Sequence, residues 1–145
     1  MKILCLTPIK HLDGIYEYLN SFGAVDYHPN LEKQSIRGLI NSFNYDVIFC
    51  NPNKQNYKLD EYILNQFKGT ILTASTGLNH IDINYCKSNN IEVLSLTKDY
   101  DLINDLPSTS ELAFGLMSSI LRNIPSGFDD VKNGGWDYDK FMGHQ

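Results

Sequence analysis

The sequence is short of several things, and each shortage removes a class of function. Cysteine occurs three times, at Cys5, Cys50 and Cys86, widely spaced and with no CxxC pair. An odd number without paired spacing excludes a disulfide framework and leaves reduced, buried thiols of a cytoplasmic protein as the expectation. No apolar run approaches the length that crosses a bilayer. The opening Met1-Lys2-Ile3-Leu4-Cys5-Leu6 is too short for a signal peptide and predicts a first strand instead. Basic residues form no stripe: 12 Lys and Arg are interspersed with 17 Asp and Glu, for a net charge of -5. That balance argues against a nucleic-acid surface. His11, His28 and His144 show no ligand spacing with one another or with cysteine, so no metal centre is expected. There are no repeats and no low-complexity segments. A G-x-G-x-x-G turn is missing, and the arginines are Arg37 and Arg122.

What is present is alternation. At 145 residues the chain fits one domain with a proper core, and its 42% hydrophobic content is that of a globular protein. Residues 3–6 form a continuous apolar run, as in a strand covered on both faces. Leu12, Ile15, Tyr16, Leu19 and Phe22 follow at helical spacing, stopped by Gly23. Residues 24–27 make a weak second strand. Leu31, Ile36, Leu39, Ile40 and Phe43 suggest a second helix, and residues 46–50 the clearest central strand. A helix over 60–67, a strand over 70–74, a short helix capped by Asp82 and a strand over 91–96 complete the series. Strand alternating with helix predicts an α/β fold: a doubly wound, parallel, five-stranded sheet over residues 1–98. Right-handed crossovers favour the flavodoxin-like order 2-1-3-4-5.

Residues 99–145 carry no strand-like run and predict a helical arm. Pro107-Ser108-Thr109-Ser110-Glu111 has the form of a capping box, with Ser108 as N-cap and Glu111 three residues on. Leu112, Phe114, Leu116, Met117, Ile120 and Leu121 then cover more than one helical face, so the arm expects neighbours on several sides. Pro125 interrupts the helix, a further helical turn follows over 128–131, and Gly134-Gly135 break the chain before Trp136. Residues 101–107 have the composition of a hinge.

In open parallel sheets, ligands bind beyond the carboxyl ends of the strands. Three loops qualify: Thr7-Pro8-Ile9-Lys10-His11, Asn51-Pro52-Asn53-Lys54, and Ser75-Thr76-Gly77-Leu78-Asn79-His80-Ile81-Asp82. In the last, a glycine among small polar residues lets backbone N–H groups approach an anion. An ordinary tight strand-to-helix turn fits the same residues.

Four motifs, in order and at the right spacing, add a resemblance. Ala74-Ser75-Thr76-Gly77-Leu78-Asn79-His80-Ile81-Asp82 resembles the A-G-x-G-x-D-N-x-D turn of the D-isomer-specific 2-hydroxyacid dehydrogenases, the family that includes phosphoglycerate dehydrogenase. Thr109-Ser110-Glu111-Leu112-Ala113 is similar to that family's x-A-E-[HL]-A. Leu121-Arg122-Asn123-Ile124-Pro125 is similar to its A-R-N-I-P. Gly135-Trp136-Asp137 continues the likeness, which covers roughly residues 70–145; residues 1–69 share mainly the architecture.

The resemblance implies an oxidoreductase acting on a small 2-hydroxy or 2-oxo acid with NAD. It implies that backbone amides at Thr76 and Gly77 hold the substrate carboxylate, that Asn53 and Lys54 contact the rest of the substrate, and that Thr109 lies near the nicotinamide. His80 stands where many members have Asn and is expected to be a hydrogen-bonding turn residue. It also implies that residues 99–145 begin an NAD-binding domain and form a homodimer through the 109–121 helix. In this family the nucleotide turn, acid–base histidine and catalytic arginine follow the positions matched here, and neither Arg37 nor Arg122 fits the arginine's motif. These 145 residues alone are therefore expected to be inactive.

A stand-alone flavodoxin-like binding or dimerisation module remains the competing reading. Two versions of it fail on sequence. Leu6-Thr7-Pro8 and Cys50-Asn51-Pro52 lack the acidic residues of a phosphoacceptor site, and Thr7-Pro8-Ile9-Lys10 is no phosphate loop.

Overall fold

The computed structural model describes residues 1–53 and 55–143. Its packing divides the chain into two compact units, Met1–Tyr100 and a second from Asp101 onward. The first holds five strands: β1 (Lys2–Cys5), β2 (Ala24–Tyr27), β3 (Val47–Cys50), β4 (Thr70–Thr73) and β5 (Glu92–Ser95). They pair in parallel in the order β2-β1-β3-β4-β5, as the alternation predicts. Helices α1 (Ile15–Ser21), α2 (Lys33–Ser42), α3 (Glu61–Leu64) and α4 (Ile83–Ser88) link them.

The register explains why the central strands are apolar without alternation. Leu4, Ile48, Ile71 and Val93 stand in one row across four strands, and the first three are fully buried. Ile36 and Ile40 of α2, Ile63 and Leu64 of α3, and Cys86 of α4 pack in the same cluster. Ile3, Cys5 and Val47 are buried as well. Covered on both faces, β1 and β3 have no solvent side on which a polar residue would be favoured.

Two glycines act by crowding. Gly23 does not adopt a left-handed conformation to stop α1. A Cβ there would sit 2.1 Å from the Met1 carbonyl oxygen, and one on Gly69 would sit 2.0 Å from that of Asp46. Those carbonyls accept the N–H groups of Ala24 and Thr70, at 3.0 and 2.9 Å, where β2 and β4 begin. Each glycine is the entry to a strand, where the incoming chain must pass against its neighbour's backbone.

Elsewhere the boundaries move. α1 begins after Gly14 (φ 75°) and buries none of its residues. The helix expected over 60–67 is shorter, because the Phe67 N–H bonds to the Leu64 carbonyl at 2.9 Å, an i to i−3 turn that delivers Phe67 to the core.

Beyond β5, α5 (Tyr100–Asn104) occupies most of the expected hinge. Its coil continues as Asp105 N–H to Asp101 O and Leu106 N–H to Ile103 O. Next come α6 (Ser108–Leu121), α7 (Ile124–Lys132) and a 3-10 turn, Tyr138–Phe141. The capping box does not form. Pro107, with φ −77° and ψ −14°, holds the N-cap position, and no side chain caps the helix. The pyrrolidine ring already fixes a helical φ, so the helix starts one residue earlier than Ser108 would set it. Asn123, left-handed at φ 53°, separates α6 from α7, and Pro125 lies in the first turn of α7. Within this unit α6 buries none of Leu112, Phe114, Leu116, Met117, Ile120 and Leu121; each is at least 49% exposed. No helix among the described residues is long and apolar enough to cross a membrane.

Candidate carboxylate site at the end of the fourth strand

The two ends of the sheet differ chemically. At the amino end of β1 the polar groups satisfy one another. The Tyr45 hydroxyl donates to Asp26 at 2.6 Å, and Lys2 Nζ lies 3.3 Å from the same carboxylate and 3.9 Å over the Phe43 ring. The Tyr45 hydrogen bond, with help from Lys2, holds the Asp26 carboxyl below its ordinary range.

At the carboxyl end, a cavity of about 270 Å³ opens between the loops after β3 and β4, with Pro52, Asn53 and Tyr57 on one wall and Gly77, Asn79 and His80 on the other. A parallel bridge joins the two loops: Leu59 N–H donates to the His80 carbonyl at 2.8 Å, and Asp82 N–H to the Leu59 carbonyl at 2.9 Å. Asp82 then caps α4, accepting the Tyr85 N–H at 3.2 Å as the sequence predicts.

The turn 75–78 has all three of its leading carbonyls engaged. The Ser75 carbonyl accepts the Leu96 N–H at 3.3 Å, the Thr76 carbonyl accepts the Thr97 hydroxyl at 3.0 Å, and the Gly77 carbonyl accepts the Ser75 hydroxyl at 2.9 Å. Among the described residues, the N–H groups of Thr76, Gly77 and Leu78 have no acceptor. Thr76 and Gly77 are exposed. Gly77 is not left-handed, and a Cβ on it would meet nothing within 4 Å. Neither strain nor crowding within this chain requires glycine there. Open space over unpaired donors is what an incoming anion needs.

His80 stands behind the turn, 8% exposed, with Nε2 3.0 Å from the Thr73 hydroxyl. Nδ1 is buried without a partner. Burial pushes its pKa below the ordinary 6.5. A neutral ring committed to a buried hydroxyl is a support for the loop.

The other residues singled out from sequence divide. Asn53 lines the cavity, but its side-chain amide donates to the Tyr57 carbonyl at 3.1 Å and accepts the Tyr57 N–H at 3.2 Å, so it shapes the loop. Burial raises the Tyr57 phenol to about 12. Lys54 lies outside the described residues. Thr109 sits exposed in the first turn of α6, in the second unit. Arg37 stacks on Tyr62, 4.3 Å from the ring centre. Of the hydroxyls that hold the turn, sequence reasoning passed over Thr73 and Thr97 and took Ser75 only as part of the loop. Their one signal is position: each stands at or just past the carboxyl end of a strand.

His80 yields a prediction. With the folded pKa depressed, the unfolded chain binds the extra proton as pH drops below 6.5. The neutral ring's contribution to stability is complete above that value and declines as pH falls toward the folded-state pKa. Denaturant titrations between pH about 7.5 and about 5 should show a steeper loss for the wild type than for His80→Gln. Equal slopes would remove His80 from the account.

The family model described as D-isomer specific 2-hydroxyacid dehydrogenase, catalytic domain, matches residues 4–101. A D-3-phosphoglycerate dehydrogenase of Archaeoglobus fulgidus is 26% identical over 146 residues, covering 99% of this chain and 25% of the relative. A human glyoxylate reductase/hydroxypyruvate reductase is 36% identical over 66 residues, 46% of this chain and 19% of the relative. Among solved structures, a glyoxylate reductase from Paecilomyes thermophila superimposes with a TM-score of 0.74 at 19% identity, over 99% of this chain and 45% of that one. A D-lactate dehydrogenase from Aquifex aeolicus, complexed with NAD and lactic acid, gives 0.70 at 18% identity, over 100% and 41%. The chain spans about a quarter of the phosphoglycerate dehydrogenases it matches. With 98 consecutive residues accounted for by the family model, the chain belongs to the D-isomer-specific 2-hydroxyacid dehydrogenases.

Proposed function

We propose that residues 1–98 are the substrate-binding part of an NAD-dependent D-2-hydroxyacid dehydrogenase and that the turn 75–78 seats the carboxylate of a small 2-hydroxy or 2-oxo acid. The observation that carries this reading is the set of unpaired N–H groups on Thr76, Gly77 and Leu78 at the carboxyl end of β4, with open space above Gly77. Backbone donors suit a carboxylate because they are fixed in direction and need no side chain to be ordered on binding. Asn53 shapes the opposite wall, and the family resemblance would give Lys54 a contact with the remainder of the substrate.

NAD would carry the hydride, accepting it from a 2-hydroxy acid and, once reduced, returning it to a 2-oxo acid. By resemblance Thr109 is the candidate contact for it among these residues, and no G-x-G-x-x-G occurs in the 145 residues. Buried and neutral, His80 supports the loop from behind.

A carboxylate held on one side only should bind weakly, with a dissociation constant of about 1 mM or higher. Titrating glyoxylate into the isotope-labelled chain should shift the amide resonances of Gly77 and Leu78 first. Shifts confined to lysine-rich surface, or none, would favour a module that pairs without binding substrate.

The second unit is proposed as the beginning of the NAD-binding domain and the means of pairing subunits. Each large apolar side chain left in water forfeits about 1.5 to 3 kcal/mol, and α6 exposes six. A two-fold pairing of α6 with its copy is the simplest cover. Sedimentation should give a dimer for the chain and a monomer for the Phe114→Glu, Met117→Glu variant. A wild-type monomer would contradict it.

A further inference from the structure

The carboxylate seat is aimed from behind by hydroxyl groups. In a trans peptide the C=O of one residue and the N–H of the next point in opposite directions. The carbonyls of Ser75, Thr76 and Gly77 are held by Leu96 N–H, Thr97 Oγ1 and Ser75 Oγ respectively. The N–H groups of Thr76, Gly77 and Leu78 therefore face away from those three anchors. Leu96 and Thr97 lie just beyond β5, so the end of one strand sets the peptide planes at the end of its neighbour.

Counting protons fixes how the anchors are wired. The Ser75 hydroxyl has one proton and gives it to the Gly77 carbonyl. Its 2.8 Å contact with Thr73 Oγ1 must then be donated by Thr73. Thr73 has no second proton, so its 3.0 Å contact with His80 requires a hydrogen on Nε2. Asn51 Oδ1 competes for the Thr73 proton from the longer distance of 3.3 Å. The row runs His80 to Thr73 to Ser75 to the Gly77 carbonyl, from a buried end to an exposed one. A second row is built alike. Thr97 gives its proton to the Thr76 carbonyl, so its 2.9 Å contact with Ser95 is donated by Ser95. Two hydroxyl rows thus end on consecutive carbonyls. A carbonyl that accepts a hydrogen bond polarises its own peptide and strengthens the N–H on the other side.

We infer that Ser75 and Thr97 are positioning residues for substrate carboxylate, anchored by the Thr73–His80 pair and by Ser95, and that they orient and polarise the N–H groups of Gly77 and Leu78. The inference rests on the turn being the carboxylate seat. A purely structural hydroxyl would affect stability without changing how well those two amides donate.

The test uses Thr97→Val, Ser75→Ala and the conservative Thr97→Ser in the full 145-residue chain, with thermal unfolding confirming that each is folded. Without ligand, Thr97→Val should move the Gly77 15N resonance upfield, and Ser75→Ala that of Leu78, since each loses the hydrogen bond on the preceding carbonyl. With glyoxylate, each should weaken binding about fivefold, the value of one ordinary hydrogen bond. Thr97→Ser should match the wild type in both readouts. If the wild type binds glyoxylate at the turn and the two variants bind it equally well, the positioning role is overturned and the seat stands. If the wild type shows no response at Gly77 or Leu78, the seat fails and the positioning role fails with it.

Discussion

Parallel pairing of all five strands is the constraint from which the rest of the first unit follows. Strands that run one way must be joined by crossovers over the sheet's faces, and α2, α3 and α4 supply those covers. Coverage on both sides makes β3 apolar throughout, and β1 from Ile3 onward. It also delivers every carboxyl end to one edge, where backbone groups run out of ladder partners and loops with polar residues begin. The edge at the start of β1 is closed by Tyr45, Asp26 and Lys2. The carboxyl edge keeps donors free at the turn after β4.

The turn is built by its neighbours more than by its own residues. Thr76 and Gly77 supply N–H groups, but their direction comes from β5's end through Leu96 and Thr97, and from the buried His80 through Thr73 and Ser75. Nothing in this arrangement requires a charged side chain. As the proposed carboxylate seat, the turn would offer dipoles fixed before a ligand arrives, which is the arrangement that costs least to order on binding.

The central strands β1 and β3 are readable from sequence because burial on both faces leaves a continuous apolar run, which residues 46–50 show most clearly. Asp82 was readable as a cap because an acid before an apolar periodic segment has one common use. Gly23 does follow the end of α1, but a glycine after a helical pattern has two explanations, and only its backbone conformation and the packing of Met1 against it show that crowding is the one that applies. The apparent capping box failed because Pro107 imposes its own helical φ before Ser108 can act. The hydroxyl rows were invisible for a different reason. Thr73, Ser75, Ser95 and Thr97 are single residues without period, and their partners lie on another strand or across a turn. The resemblance points to the turn; the wiring behind it exists only in the folded chain.

The central claim is that a 2-oxo acid sits on the turn after β4 with its carboxylate on backbone donors. A crystal structure of the chain grown with oxalate, a rigid mimic of such an acid, tests it most directly. The account predicts carboxylate oxygens within hydrogen-bond distance of the Gly77 and Leu78 nitrogens, with the Thr97 and Ser75 hydroxyls still on the opposite carbonyls. Oxalate held by lysine side chains elsewhere, with the amides of the turn facing water, would contradict it.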